Sequence, residues 1–219
     1  MFAQRLPRAV LWDLDGTLID SEHYWMNSEL QFAAEHNVAW SKADGESLIG
    51  MSLYDSTKIM KERFGSSLEP IEIIDKLTDS VTAQLRKAIP WRPGSQELLK
   101  LLRAKGVKTA LVTMSMRRMA IEVANAIPFD AFDVIVAGDD VEHGKPHPEP
   151  YLLAAALLGV EPGECIAFED SLTGLRSAEA AGTRAIAIPN IQHIPNQPGR
   201  IIWDTLDGVS MRKLRRAFK

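Results

Sequence analysis

The second half of the sequence alternates between short apolar runs and helical segments, and this alternation constrains the fold more than any other feature of the chain. Strands that are separated by helices favour right-handed crossovers and a parallel sheet with helices on both faces. A short apolar run over residues 8–13 supplies a first strand. The predicted later strands cover residues 107–113, 132–138, 164–169 and 183–188. The sequence therefore predicts an α/β fold with a Rossmann-like parallel sheet as its core.

Residues 20–89 do not follow this alternation, because they show helical periodicity and no clear strand. Helical segments are predicted over residues 21–37, 44–65 and 69–89. Since this block begins just after the first strand, we predict a helical cap domain of residues 20–89. The α/β core would then consist of residues 1–19 and 90–219, with a last helix within residues 205–217.

The composition narrows the possible partners and surroundings of the protein. The 219 residues carry a formal net charge of -4, which does not favour binding to nucleic acid. No apolar run reaches the roughly 18 residues that a membrane span needs, and the first residues lack the apolar region of a signal peptide. The single cysteine, Cys165, excludes an internal disulfide. We expect a monomeric, cytoplasmic protein that binds neither nucleic acid nor membranes.

Polar side chains follow each of the first four predicted strands. They are Asp13 and Asp15 after the first strand, Thr113 and Ser115 after the second, Lys145 in the loop after the third, and Glu169 and Asp170 at the end of the fourth. In an open parallel sheet, ligands bind at the carboxyl ends of the strands. Carboxylates suit Mg²⁺, and hydroxyl groups and a lysine suit phosphate oxygens. The sequence therefore predicts a site for magnesium and a phosphate group at this edge of the sheet.

The segment "WDLDGT" places two carboxylates one residue apart, and this spacing has a chemical interpretation. On extended backbone Asp13 and Asp15 point roughly the same way, and Gly16 lets the backbone approach a ligand closely. If Asp13 bound a metal through one oxygen, its other oxygen could attack a phosphorus atom in line. Asp15 could then protonate the leaving oxygen. A pair of carboxylates that merely caps a loop or helix is the alternative.

Four segments in order resemble the four motifs of the haloacid dehalogenase superfamily. They are "WDLDGTLID", "ALVTMS", "GKPHPEPY" and "IAFEDSLTGLRSAEAAG". Together they extend over most of the chain, and each lies at the end of a predicted strand. The chain is most similar to the helical-cap subgroup, which includes sugar phosphatases, phosphoglycolate phosphatases and β-phosphoglucomutases.

The resemblance implies a catalytic role for four of these side chains. Asp13 would be the nucleophile that forms an aspartyl-phosphate, and it would also bind magnesium. Asp15 would be the acid for the leaving group and the base for the hydrolytic water, with its backbone carbonyl on the metal. Thr113 would donate a hydrogen bond to the phosphoryl group, and Lys145 would neutralise charge on Asp13 and on the phosphate.

The resemblance also implies a set of metal ligands and a set of substrate contacts. Asp170 would bind Mg²⁺, and Glu169 would bind it directly or through water. The candidate substrate-binding residues are Gly16, Thr113, Met114, Ser115 and Lys145. Ser115 has the alternative of capping the following helix, which the residue type favours. The histidines show no metal-ligand spacing in this interpretation; they are His23, His36, His143, His147 and His193.

We predict a magnesium-dependent phosphatase that acts on a small phosphorylated metabolite, preferably a sugar phosphate. A sugar phosphomutase of the β-phosphoglucomutase type is the alternative, but its cap-entry histidine aligns with Trp25, which cannot transfer protons. His23 lies two positions earlier. A dehalogenase needs no magnesium and would leave Asp15 and Asp170 unexplained. A phosphoprotein receiver domain would lack the helical block after the first strand.

Overall fold

A computed structural model of the protein describes residues 6–48 and 51–218. The chain divides into two compact units. One unit combines Met1–Asp20 with Trp91–Lys219, and the other is Ser21–Pro90. Whether the second unit acts as a cap stays a prediction. Among the described residues, no helix is long and apolar enough to cross a membrane.

The first unit is built on a sheet in which six strands of the described residues run parallel, in the order β3-β2-β1-β4-β5-β6. The strands are β1 (Ala9–Trp12), β2 (Lys108–Val112), β3 (Val134–Val136), β4 (Cys165–Glu169), β5 (Arg184–Ala187) and β6 (Ile201–Ile202). Strand β1 is fully buried and lies between β2 and β4, with Trp12 level with Leu111 and Phe168. This register places the carboxyl ends of β1, β2 and β4 side by side.

The predicted parallel α/β fold is confirmed, and the five predicted strands are all present. Strand β6 was not predicted, because two residues are too few to show a periodic pattern. The last helix, Met211–Ala217, lies within the predicted residues 205–217, and Ser210 caps it by accepting a hydrogen bond from the Lys213 N–H.

Helices of the first unit connect the strands and cover the sheet. They are α5 (Ser95–Ala104), α6 (Arg117–Asn125), α7 (Glu149–Leu158), α8 (Leu172–Ala180) and α9 (Met211–Ala217), and the labels α1 to α4 belong to the second unit. Helix α7 buries Tyr151 and Leu158 in a cluster with apolar side chains of β1, β2 and β4. Parallel strands that are buried on both faces account for the continuous apolar runs in the sequence.

The second unit is helical throughout its described elements, α1 (Glu22–Glu35), α2 (Lys42–Glu46), α3 (Leu53–Phe64) and α4 (Pro70–Leu85). Local signals set several helix ends. Ser52 accepts a hydrogen bond from the Asp55 N–H at the start of α3, and Gly65 ends that helix with a φ of 58°. Residues 49 and 50, within the predicted helical segment 44–65, lie outside the described residues.

Candidate active site

Strand β1 leads directly into Asp13, and three strand ends meet around this side chain. The Asp13 N–H donates to the carbonyl oxygen of Phe168, so the backbone of Asp13 continues the sheet pairing. Its buried Oδ1 atom accepts a hydrogen bond of 2.7 Å from Lys145 Nζ. The same ammonium lies 2.8 Å from the Val112 carbonyl oxygen and 2.6 Å from Glu169 Oε1. Lys145 therefore joins the ends of β1, β2 and β4.

Burial and charge shift the protonation of this group of side chains. Desolvation raises the pKa of Asp13 to about 7, and the negative charge of Glu169 adds to the rise, while Lys145 opposes it. Burial by itself would lower the pKa of Lys145, but the carboxylates of Asp13 and Glu169 raise it above its usual range. Lys145 is therefore a permanent buried cation beside Asp13, and a further cation would favour the ionised form of Asp13.

Three carboxylates at this edge fit a divalent metal ion. Asp13, Glu169 and Asp170 each offer an oxygen within 4.8 Å of the others, and all three residues are buried. Asp13 Oδ2 has no hydrogen-bond partner among the described residues, although it is fully buried. Buried carboxylates without a compensating cation are costly, and oxygen donors are those that Mg²⁺ prefers. The donor set therefore suits magnesium better than a softer ion.

Gly16 is needed where the chain turns after β1. Its φ is 82°, and a Cβ atom there would lie 2.0 Å from Asp170 Oδ2. The Gly16 N–H donates to the carbonyl oxygen of Ile19 and closes the turn. Only glycine accepts both this backbone conformation and the close approach of the Asp170 carboxylate. Gly16 therefore lies against a candidate metal ligand.

Asp15 contacts the end of β2. Ser115 Oγ donates a hydrogen bond of 2.6 Å to Asp15 Oδ2, and Thr113 Oγ1 lies 3.5 Å from the same oxygen. Thr113 Oγ1 also accepts from the Ser115 N–H at 3.0 Å. The helix-cap interpretation of Ser115 is wrong, because α6 has Met116 at its N-cap position and Ser115 is directed to Asp15 instead. Local preference for a cap is overridden here by a partner one hundred residues away in the sequence.

Met114 supports the loop that carries Lys145. Its sulfur atom accepts a hydrogen bond of 3.2 Å from the Lys145 N–H. A Cβ atom on Gly144 would lie 2.8 Å from the same sulfur, so this glycine lets the loop pack closely on Met114. Its contacts therefore hold the Lys145 loop, and its role as a substrate-binding residue stays a prediction.

Tyr151 in the first turn of α7 belongs to this group but was not predicted. Its hydroxyl donates to Glu169 Oε1 at 2.5 Å, and Lys145 Nζ lies 5.2 Å from the centre of its ring. Glu169 Oε2 in turn occupies the space that a Cβ atom on Gly174 would fill, 1.9 Å away. Tyr151 stands six residues after Lys145, in the segment "GKPHPEPY". An aromatic residue at the start of a helix normally indicates only core packing, so the residue type of Tyr151 did not reveal its hydrogen bond to Glu169.

The chain matches known proteins over most of its length. Hexitol phosphatase B of Escherichia coli K12 is 30% identical over 209 residues, which cover 93% of this chain and 93% of that protein. The phosphorylated carbohydrates phosphatase of Thermotoga maritima is 30% identical over 81% of this chain and 83% of that protein. The crystal structure of CbbY from Rhodobacter sphaeroides in complex with phosphate superposes with a TM-score of 0.83, at 27% identity, and covers 93% of this chain and 96% of that one.

Other relatives are longer than this chain. The chain spans 55% of the bifunctional riboflavin kinase/FMN phosphatase of Arabidopsis thaliana, to which it is 28% identical. The names of the relatives confirm the predicted enzyme class, a phosphoric monoester hydrolase. The sequence model of the haloacid dehalogenase-like hydrolases matches residues 7–182, which is well over half of the chain. With its parallel sheet and its four ordered motifs, the chain belongs to the haloacid dehalogenase-like hydrolases.

Proposed function

We propose that this protein is a magnesium-dependent phosphatase that hydrolyses a small phosphorylated sugar through an aspartyl-phosphate on Asp13. One observation carries the proposal. Lys145 Nζ holds Asp13 Oδ1 at 2.7 Å, while Oδ2 of the same buried carboxylate has no partner among the described residues. A carboxylate that a buried lysine holds in place can divide its two oxygens between a metal ion and the phosphorus atom, and this suits it to nucleophilic attack.

The residues that would hold Mg²⁺ are Asp13, Asp170 and the backbone carbonyl of Asp15, with Glu169 directly or through water. When bound, the ion would offset the charge of the carboxylates and of the phosphoryl oxygens. Glu169 Oε1 contacts Lys145 and Tyr151, so Glu169 would join the metal site to these two side chains when an ion is bound. This arrangement lets Glu169 set the position of Lys145 and of the metal site together.

In the first half of the reaction, a carboxylate oxygen of Asp13 attacks phosphorus, and the bond from phosphorus to the ester oxygen breaks. Asp15 donates a proton to that oxygen, so the alcohol leaves neutral. Thr113 Oγ1 accepts the Ser115 N–H, and its own hydrogen makes only a long contact of 3.5 Å with Asp15 Oδ2, so it can turn to a phosphoryl oxygen instead. Lys145 balances the charge that spreads over the phosphoryl oxygens.

In the second half, water attacks the phosphorus of the aspartyl-phosphate. Asp15, now ionised, takes a proton from that water, and the bond between phosphorus and Asp13 breaks. Inorganic phosphate leaves, and the carboxylates of Asp13 and Asp15 return to their starting states. The Ser115 hydroxyl, 2.6 Å from Asp15 Oδ2, keeps the carboxyl group in place through both steps.

The names of two relatives support the class of substrate that we propose. Hexitol phosphatase B and the phosphorylated carbohydrates phosphatase are named for phosphorylated sugars or sugar alcohols, and both are 30% identical to this chain. A sugar phosphate or sugar-alcohol phosphate is therefore the substrate that we propose. Trp25 at the position of the mutase histidine disfavours the phosphomutase, because indole does not transfer protons at neutral pH.

The decisive experiment measures phosphate release from a panel of sugar phosphates, sugar-alcohol phosphates, phosphoglycolate and FMN, with Mg²⁺ and with EDTA. We expect turnover of at least one sugar or sugar-alcohol phosphate in Mg²⁺ only, and none by the Asp13→Asn variant. Substantial activity of that variant would contradict the role of Asp13 as the nucleophile. The enzyme would instead be a phosphomutase if, with a bisphosphate primer, it converted hexose 1-phosphate into hexose 6-phosphate without net phosphate release.

A further inference from the structure

Two histidines and a glutamate form a second cluster of metal-ligating side chains in the loop after β3. His143, His147 and Glu149 each offer a ligand atom, and these atoms lie within 4.8 Å of one another. The two imidazole rings are tilted by 36° with their centres 4.7 Å apart. The sequence-based interpretation that the histidines lack metal-ligand spacing is therefore wrong for this pair, because the loop folds His143 and His147 onto the same carboxylate.

The Glu149 carboxylate is held in place and ionised. Its Oε1 atom accepts the Glu142 N–H at 2.9 Å, and its Oε2 atom accepts the His143 N–H at 3.0 Å. The bond from the Glu142 N–H contributes most to lowering the pKa of Glu149 below its usual range. The loop is anchored further by Ser177, whose hydroxyl donates to the His147 carbonyl oxygen at 2.6 Å. A fixed anionic ligand reduces the ordering that metal binding must impose.

The two distances from the histidine nitrogens to Glu149 lie near those of a tetrahedral zinc site. His143 Nδ1 lies 3.0 Å and His147 Nδ1 lies 3.8 Å from Glu149 Oε2. Bonds of about 2.0–2.1 Å at tetrahedral angles separate neighbouring ligand atoms by roughly 3.3–3.4 Å, so shifts of about half an ångström suffice. The Glu149 N–H donates to His147 Nδ1 at 3.3 Å, so a metal ion bound through this nitrogen would replace that long hydrogen bond.

We propose that His143, His147 and Glu149 form a binding site for Zn²⁺ or a similar first-row transition metal ion, separate from the carboxylate site. Imidazole nitrogens select such ions, whereas Mg²⁺ prefers the all-oxygen set around Asp13. The His143 and His147 side chains are about half exposed, at 57% and 51%, so an ion can reach them from solvent. Water would complete the fourth coordination position.

The position of this site links it to the active-site lysine. His143 and His147 stand two residues before and two residues after Lys145. An ion bound to both histidines would therefore bridge the loop segment that carries Lys145. Because Lys145 Nζ contacts Asp13 and Glu169, restraint of this loop is a route by which the ion could alter turnover.

The test is a calorimetric titration of the full chain with Zn²⁺ in excess Mg²⁺, which occupies the carboxylate site. We expect one Zn²⁺ per chain in the wild type and an affinity at least about tenfold weaker in His143→Gln and in His147→Gln. His193→Gln, which changes another exposed histidine, is the matched control and should bind as the wild type does. The Asp13→Asn variant should also keep its affinity for Zn²⁺, because its substitution lies in the other site.

A second readout identifies the ligands directly. Co²⁺ in place of Zn²⁺ should give visible absorption bands of a tetrahedral site in the wild type, and these bands should be lost in both histidine variants. Melting temperatures in EDTA must match among the variants, so that loss of binding is not loss of fold. Unchanged Zn²⁺ affinity in both His143→Gln and His147→Gln would overturn the proposal. Loss of the Zn²⁺ site in Asp13→Asn would also overturn it, since the ion would then occupy the carboxylate cluster.

Discussion

The Tyr151 hydroxyl donates a hydrogen bond of 2.5 Å to Glu169 Oε1, and both side chains are buried at the end of β4. The same oxygen accepts from Lys145. Tyr151 thus acts on Asp13 only through other side chains, which makes it a positioning residue in the proposed mechanism. Burial first, and then the nearby charge of Glu169, raise the pKa of Tyr151 well above its usual value, so its hydroxyl stays a donor at all working pH values.

Replacing Tyr151 by Phe should weaken Mg²⁺ binding and turnover by about 10-fold to 100-fold, as loss of an outer partner of a metal ligand does elsewhere. The measurement is the dependence of turnover on Mg²⁺ concentration, together with direct calorimetry of Mg²⁺ binding. Tyr24→Phe is the matched control, because it also removes a hydroxyl that donates a hydrogen bond, at 3.0 Å to the Ala88 carbonyl oxygen. Equal Mg²⁺ dependence in both variants would contradict the positioning role.

Replacing Ser115 by Ala should impair the proton transfer assigned to Asp15. The Ser115 hydroxyl holds Asp15 Oδ2 at 2.6 Å, so its loss should reduce turnover of a sugar phosphate by about tenfold or more. p-Nitrophenyl phosphate, whose leaving group needs no proton, should be affected much less. Ser95→Ala is the control, since Ser95 Oγ is buried without a partner among the described residues. A similar loss with both substrates would argue against the link to Asp15.

Gly16 and Gly182 allow a comparison of crowding at nearly the same backbone conformation. Their φ values are 82° and 83°, but only at Gly16 would a Cβ atom meet another residue, Asp170, at 2.0 Å. Gly16→Ala should abolish Mg²⁺-dependent turnover by displacing Asp170. Gly182→Ala should cost about 1 kcal/mol of folding stability and leave turnover intact. Activity assays and thermal melts of both variants separate backbone strain from displacement of Asp170. An active Gly16→Ala enzyme would contradict the close approach of the Asp170 carboxylate to Gly16.

The second unit contains a partly buried acid, Glu29, whose burial raises its pKa to about 7 despite a hydrogen bond from Trp40 Nε1. The folded protein therefore holds this proton over a pH range in which the unfolded chain has lost it. Stability should fall as pH rises from about 4.5 to 7 and then level off. Glu29→Gln keeps an acceptor for Trp40 and should remove this loss. The substitution should raise the free energy of unfolding by on the order of 2 kcal/mol at pH 8, and change it little at pH 5.

Thermal melts at pH 5 and pH 8 check this prediction. The rise in melting temperature on substitution should be larger at pH 8 than at pH 5. Glu35→Gln, on the exposed side of the same helix, should show no such difference. If the rise in melting temperature of Glu29→Gln were the same at both pH values, its cause would be altered packing and not the protonation of Glu29.

Much of the candidate site could be predicted because parallel strands bring their carboxyl ends to one edge. Lys145 contacts both Asp13 and Glu169, and Asp170 offers an oxygen within 4.8 Å of the other two carboxylates, as the position of each after a predicted strand led us to expect. The order of the strands was not needed for this inference, because every carboxyl end of a parallel sheet faces the same side. The roles of these side chains in catalysis stay predictions.

The sequence by itself determined the fold class, the residue types at the strand ends and the family, because periodicity and motifs are properties of neighbouring residues. Only the tertiary structure decided which distant partner each side chain meets. It directed Ser115 to Asp15 instead of a helix end, placed Tyr151 on Glu169, and folded two loop histidines around Glu149. The physical reason is that a hydrogen bond depends on distances of a few tenths of an ångström, and only packing of the whole chain sets these.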